Sequence, residues 1–283
     1  MDLNTIKEVK RPRAIEDVTG WRPGHAWLGG GTWLFSEPQV AVDTLVDLEA
    51  LGWRSLEASA AGLDIAATCR IRELERFAGP PEWTAAPLFV ECSHALLMSF
   101  KIANEATVGG NICMSLPAGA MISLTVALEG VYTLWPRDGV PRQVPAIDFV
   151  TADNVNVLAP GELLRAIHLP ASALTKRFAF RRASLTRLGR SAALVIGTRD
   201  DKAGDLLLTI TGAVPRPVQL RFDRAPSAAA LRQAIDDRIP KDGYFDDVHG
   251  TPAYKRHLTY HFADQIRAEL AEPAKPTTPG GQA

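Results

Sequence analysis

The sequence predicts an α+β protein of two domains, on three observations. Its 283 residues, 46% hydrophobic and 22% charged, are enough for two buried cores. Proline and small residues at Leu169-Pro170-Ala171 separate stretches of different pattern, placing a boundary there. Before it, short strands mix with helical spacing as a compact α/β unit; after it, the chain alternates as antiparallel sheet and then turns helical.

Taken in order, Ile15-Glu16-Asp17-Val18 reads as a short helix, and Ala26 to Leu28 as a strand entering a glycine loop. Thr44 to Leu48 is the next strand. Ser55 to Ala58 and Leu63 to Ala67 alternate as paired strands, and Ile71 to Ala78 reads as a helix with Thr68 at the cap. Apolar residues at helical spacing predict one long helix over Ala85 to Ile102. Ser115 to Gly119 is loop, Met121 to Leu128 a buried helix, and Val131 to Trp135 and Glu162 to Leu169 are strands. The second domain opens with strands Arg177 to Ser184 and Ala192 to Arg199, a turn at Asp200 to Gly204, and strand Leu206 to Thr211. Helices follow at Ala228 to Ile239 and Pro252 to Leu270, and the proline- and glycine-rich tail from Pro273 is expected to be disordered.

A net charge of −1 argues against nucleic acid as the main partner. Cys69, Cys92 and Cys113 form no CxxC pair, so neither a disulfide framework nor an iron–sulfur or zinc site is written here. Met1 to Arg13 lacks an apolar export core, and Met121 to Leu128 is too short to span a bilayer. The expectation is a cytoplasmic protein.

Two glycine clusters carry the chemistry: Leu28-Gly29-Gly30-Gly31-Thr32-Trp33 and Thr107-Val108-Gly109-Gly110-Asn111. Without a Cβ, successive glycines can turn their N–H groups toward one point where an anion accepts them. Thr32 adds a hydroxyl donor, and Trp27, Leu28, Trp33 and Leu34 add apolar walls. A single glycine run reads equally well as a tight turn; two runs favour a phosphate cradle.

The rival constellations are weaker. His257 and His261 stand at i,i+4 spacing but lack the glutamate a zinc hydrolase helix carries after its first histidine. His25 has no carboxylate or nucleophile at a telling distance, and Asp236-Asp237 and Asp246-Asp247 read as helix-end and loop charges. Arg177, Arg181, Arg182, Arg187 and Arg190 crowd the start of the second domain. They form either a solvated strand edge or a set in which at least Arg181 faces the cleft between domains and meets a bound phosphate or ring edge.

With these residues in hand, the chain resembles the medium, FAD-binding subunit of molybdenum hydroxylases of the xanthine dehydrogenase and carbon monoxide dehydrogenase type, over nearly its whole length. The family's Ala-Gly-Gly-Thr-Asp-Leu pattern falls on Gly29 to Leu34. Its second motif, Arg-Asn-x-Ala-Thr-x-Gly-Gly-Asn followed by Ser-Pro-Ala-x-Asp, falls on Ala103 to Asn111 and Leu116 to Ala120, with Ser115 just before. Ala159 to Leu164 is similar to Pro-Gly-Glu-Leu-Leu, and Val248 to Leu258 to a C-terminal Arg-Gly-Ser-x-x-Tyr-Arg-Arg segment. There are three departures from the pattern: Trp33 and Ala120 stand where aspartate is common, and Lys101-Ile102-Ala103-Asn104 replaces Ile-Arg-Asn.

The resemblance implies a two-lobed FAD-binding domain of the vanillyl-alcohol-oxidase/PCMH type over 1–170, with lobes of about 1–52 and 53–170. A C-terminal antiparallel-sheet domain with helices covers 171–272, and the tail is 273–283. FAD would meet Leu28, Gly29, Gly30, Gly31, Thr32 and Trp33 at its diphosphate. Thr107, Gly109, Gly110, Asn111, Ser115 and Ala120 would lie toward the flavin, and Leu164 and Arg181 would border the ring. The family's division of labour implies a large molybdopterin-cofactor subunit and a small subunit with two [2Fe–2S] clusters, two copies of such a heterotrimer, and no catalytic residue or metal in this chain. Electrons would pass from the clusters through FAD to NAD⁺, O₂ or a quinone. The few cysteines argue against the subtype with an inserted [4Fe–4S] site. Two alternatives stay open, a freestanding flavin oxidoreductase of the same fold and a flavin-less scaffold subunit. The first would need its own acid–base residue at the flavin, and none is recognisable.

Overall fold

The computed structural model describes residues 3–18, 20–95, 99–136 and 140–272. Helices and sheets are mixed throughout, with three main sheets following one another along the chain.

The first sheet is small and parallel. Strands β1 (Glu8–Lys10), β2 (His25–Leu28) and β3 (Thr44–Asp47) lie in the order β1-β3-β2, with β3 buried at the centre. The next hairpin, β4 (Leu56–Ser59) and β5 (Gly62–Ala66), belongs to a five-stranded sheet. Five helices follow: α1 (Ile71–Glu75), α2 (Leu88–His94), α3 (Phe100–Glu105), α4 (Val108–Cys113) and α5 (Ala120–Ala127). Strands β6 (Val131–Trp135) and β7 (Arg142–Pro145) return to the sheet, and α6 (Ala146–Phe149) with the ribbon β8 (Val150–Ala152) and β9 (Val155–Asn156) leads to β10 (Leu163–Pro170). The order is β4-β5-β10-β6-β7, antiparallel throughout.

After α7 (Ala171–Leu174) comes a four-stranded antiparallel meander: β11 (Arg177–Ser184), β12 (Ser191–Arg199), β13 (Leu206–Thr211) and β14 (Val218–Phe222). Helices α8 (Ala228–Arg238) and α9 (Pro252–Ala271) pack on this meander and on each other. Among the described residues no helix is long and apolar enough to cross a membrane.

Helix α5 ties the layers together. All eight of its residues are buried, as a helix apolar on every side requires. Its hydroxyls are absorbed locally: Thr125 Oγ1 lies 2.8 Å from the Met121 carbonyl, and Ser123 Oγ 3.1 Å from that of Gly119. Ser123 also meets Thr211 Oγ1 of β13 at 2.7 Å, and Gln219 of β14 donates to the Val126 carbonyl at 2.8 Å. Leu194 and Ile196 of β12 join the same core as Leu124 and Ile167, while the other face of the meander packs with α8 and α9 in a second core.

Several elements differ from expectation for physical reasons. The long helix over Ala85 to Ile102 is two helices, because Ser99 caps the second by accepting from Ile102 N. Helix α1 is capped at Arg70 rather than Thr68, since Arg70 is held extended by a bridge to Thr107. The edge strands β1 and β7 carry too few apolar residues to show a period, whereas β14, Val218-Gln219-Leu220-Arg221-Phe222, alternates strictly and was passed over. The tail expected to be disordered, 273–283, lies outside the described residues.

Candidate functional site

The first glycine run begins where β2 leaves its sheet. Leu28 is the last paired residue, its carbonyl accepting from Leu48 N at 2.9 Å. From Gly29 through Leu34, no backbone N–H has an acceptor among the described residues. These residues are half-buried, so the run presents a continuous surface of donors able to receive an anion.

The glycines also have steric reasons. Gly31 has φ +68°, and a Cβ there would enter the Phe35 ring. A Cβ on Gly30 would overlap the Glu105 carbonyl, and one on Gly29 would lie 2.9 Å from Thr107 Oγ1. The first loop therefore rests directly on the entry to the second cluster.

That second cluster is the first turn of α4, not a loop. Thr107 is its N-cap, and Thr107 Oγ1 accepts from Gly110 N at 3.0 Å. Val108 N donates to the Cys69 carbonyl and Gly109 N to that of Ala67, both at 2.9 Å. Its donors are occupied by the fold, so this helix start is not a second cradle. Gly109 is small because a Cβ would sit 2.5 Å from Ala67 Cβ, and Asn111 Oδ1 accepts from Met121 N at 3.0 Å, fixing the start of α5.

The two segments border a cavity of about 500 Å³, within the range usual for small-molecule sites, about 300–1,000 Å³. Leu28, Gly29, Gly30, Gly31, Thr32 and Trp33 line it together with Thr107, Gly110 and Asn111. Trp27 forms part of the wall, stacked on Trp21 at 4.3 Å between centroids, and its Nε1 donates to the Glu162 carbonyl at 3.2 Å. Ile71, Ile102, Met114 and Leu116 complete a largely apolar lining. Cys113 also borders it, with burial pushing its thiol up to about 12, so it stays a neutral thiol. Among the described lining residues the one charged side chain is Arg190, whose guanidinium lies 5.4 Å from the centroid of the Trp33 ring.

The other sequence-nominated residues lie outside the lining. Gly109 packs against Ala67. Ser115, buried with φ +54°, contacts the carbonyls of Ile112 and Cys113 and accepts from Asn156 Nδ2 at 2.9 Å. Ala120 is the fully buried first residue of α5, and Leu164 is a core residue of β10. Arg181 reaches α9 instead, donating to Gln265 and pairing with Glu269.

The remaining motifs are structural in their contacts. Glu162 is buried in a two-pronged pair with Arg142, both bonds 2.7 Å; that hydrogen bonding holds its carboxyl below the usual range. In the C-terminal motif, Thr251 caps α9, and fully buried Lys255 pairs with Asp247 at 2.9 Å. The His257 and His261 rings stack at 6.1 Å on α9, and no group of three or more potential ligands is arranged for a metal among the described residues.

Sequence reading passed over Gln39, Ile71, Met114 and Arg190 in the lining. Of these only Arg190 carried a signal, as one member of the arginine cluster.

Comparison with known proteins supplies the family context. Residues 7–172 match a family model described as the FAD binding domain in molybdopterin dehydrogenase. Among curated proteins no match was found. A solved structure of carbon monoxide dehydrogenase from Hydrogenophaga pseudoflava, lacking the Mo-pyranopterin moiety of its molybdenum cofactor, contains a similar chain. It has 19% identity and a TM-score of 0.78, with coverage of 94% of this chain and 97% of that one. A chain of quinoline 2-oxidoreductase from Pseudomonas putida 86 has 16% identity and a TM-score of 0.76, covering 93% and 96%. One of reconstituted CO dehydrogenase from Oligotropha carboxidovorans has 21% identity and a TM-score of 0.74, covering 92% and 97%. At these identities the likeness establishes the shared fold.

Proposed function

Because this chain belongs to the family of FAD-binding domains in molybdopterin dehydrogenases, we propose that it is the FAD-binding electron-transfer subunit of a molybdenum-containing hydroxylase or dehydrogenase. The observation that carries the reading is the unpartnered run of N–H groups from Gly29 to Leu34 on the wall of an apolar cavity. FAD has the chemistry this site suits, a diphosphate needing donors beside a flat ring needing apolar walls.

In this reading Gly29, Gly30, Gly31 and Thr32 donate to the diphosphate. Trp27, Ile71 and Leu116 exclude water from the ring. Thr107, Gly110 and Asn111 shape the wall beside the glycine run, held rigid because their own donors and acceptors fix α4 and α5. Gly109, Ser115, Ala120 and Leu164 support that wall from behind. When bound, FAD supplies exchange between one-electron and two-electron carriers. The chain's own task is to position the cofactor.

A division of chemistry among subunits follows. Among the described lining residues there is no carboxylate, imidazole, amine or phenol, so the cavity offers no general base for oxidising an organic substrate. That lining speaks against a freestanding flavoenzyme, and the unpaired amides against a flavin-less scaffold. Substrate oxidation would belong to a large molybdenum-cofactor subunit. A small [2Fe–2S] subunit would deliver electrons here for transfer to NAD⁺, O₂ or a quinone, in a dimer of heterotrimers working in the cytoplasm.

The test is to isolate the tagged full chain from its own cells. The expected product shows flavin absorbance and brings with it two other polypeptides, one containing molybdenum and one containing iron. Isolation with neither flavin nor such partners would refute the reading.

A further inference from the structure

We propose that Arg190 is a cofactor-binding cation, supplied from the C-terminal meander to the diphosphate held by the first glycine loop; this rests on the flavin reading above. Electrostatics motivates it. A diphosphate brings about two negative charges, whereas an array of backbone amides offers only partial positive charge, on the order of half a unit. Thr32 adds a dipole but no charge, so a cation beside the loop would strengthen the hold of an apolar cavity on this group. Among the described lining residues Arg190 is the only candidate.

Three of its four neighbours in the arginine cluster are engaged elsewhere, and the fourth, Arg187, is exposed and outside the cavity lining. Arg177 pairs with Asp201, and Arg181 with Glu269. Arg182 donates to Ser191 Oγ at 2.9 Å and to the carbonyls of Arg187 and Gly189. Arg190 has no ion pair among the described residues. Its recorded contact is with the face of Trp33, within the unpaired run itself, and a cation–π contact consumes none of the guanidinium's donors. A planar fork held beside the glycine loop is matched to two phosphate oxygens.

The β11–β12 hairpin makes the placement firm. Residues 185–190 form its loop, and Arg182 fixes both Arg187 and Gly189 from inside. Gly189 N closes the loop further by donating to the Thr186 carbonyl at 2.9 Å. Arg190 is thereby carried on a braced turn. The donors for one ligand group then come from two sheets, so binding would couple the domains.

The experiment uses the full chain, in whatever assembly it forms in its own cells, depleted of flavin by dialysis against concentrated salt. Wild type, Arg190→Gln and Arg190→Lys are titrated with FAD, ADP and riboflavin at low and high salt, and melting temperatures establish that the variants fold. Arg190→Gln should weaken FAD and ADP about tenfold or more, flatten the salt dependence of both, and leave riboflavin unchanged; Arg190→Lys should recover part of the loss. Unchanged FAD and ADP binding in Arg190→Gln overturns the assignment. So does a loss confined to riboflavin and FAD, which would place the cation at the ring. A wild type that binds ADP but not FAD sinks the flavin reading while leaving the cation testable through ADP; one that binds neither sinks both.

Discussion

At the scale of single residues, the two glycine clusters look alike in sequence but differ in chemistry. The first exposes its amides and the second uses them to begin a helix. What joins them is contact: Gly30 lies against the Glu105 carbonyl, so its missing Cβ is required by protein backbone rather than by a ligand. Gly30→Ala should therefore push the loop off its support. We expect a stability loss of about 1–3 kcal/mol from overpacking, together with loss of flavin, because the amides no longer converge. The control is Gly52→Ala. At that position φ is +61° and no atom lies within 4 Å of an added Cβ, so it should cost about 1–2 kcal/mol of backbone strain and keep its flavin. Thermal melts paired with flavin-to-protein absorbance ratios decide the matter; equal flavin content in the two variants would show that the Gly30 contact does not shape the site.

Among elements, legibility followed period and length. The β11–β12–β13 meander and the twenty-residue α9 were readable because each repeats one pattern for many residues. The glycine run at Gly29 to Gly31 was readable because backbone freedom is concentrated there. Other features depended on distant partners. Nothing local marks Gly109 as helical, since its reason is Ala67 on the far side of a turn, and nothing local brings Arg190 to Trp33. Arg181 was nominated over Arg190 as the cluster member facing the cleft and, by resemblance, the ring, yet side-chain direction along β11 takes it to α9. The hairpin itself is testable. Half-buried Arg182 donates to Ser191 Oγ and to the Arg187 and Gly189 carbonyls, so it braces the turn from within. Arg182→Gln should cost about 1–2 kcal/mol through its lost carbonyl bonds. Trypsin should then cut faster after exposed Arg187, and FAD should weaken in parallel. An unchanged cleavage rate would show that the turn is braced by its own backbone.

For the molecule as a whole, the question is how the C-terminal meander stays docked on the first domain. Apolar packing along α5 supplies most of the contact, and a charge cluster closes one side of it. Glu129, in the turn between α5 and β6, accepts from Lys176 at 2.8 Å and pairs with Arg221 of β14, while Asp205 lies 3.6 Å from Lys176. Burial alone would raise the Glu129 pKa, but the hydrogen bonds from Lys176 and Arg221 outweigh it and the net shift is downward. A carboxylate with a depressed folded pKa contributes stability that is fully present above its unfolded value, near 4.5, and is lost as pH falls through the lower folded value. Glu129→Gln keeps the shape and removes the charge, leaving nearly buried Lys176 with Asp205 as its remaining partner. We expect wild type to exceed this variant by about 1–2 kcal/mol at neutral pH. That gap should hold down to about pH 5 and close below 4.5, where Glu129 itself becomes neutral. Denaturant melts of the full chain at a series of pH values measure the gap directly. A constant difference across that series would mean that Glu129 acts through packing and that the meander is docked by its apolar face alone.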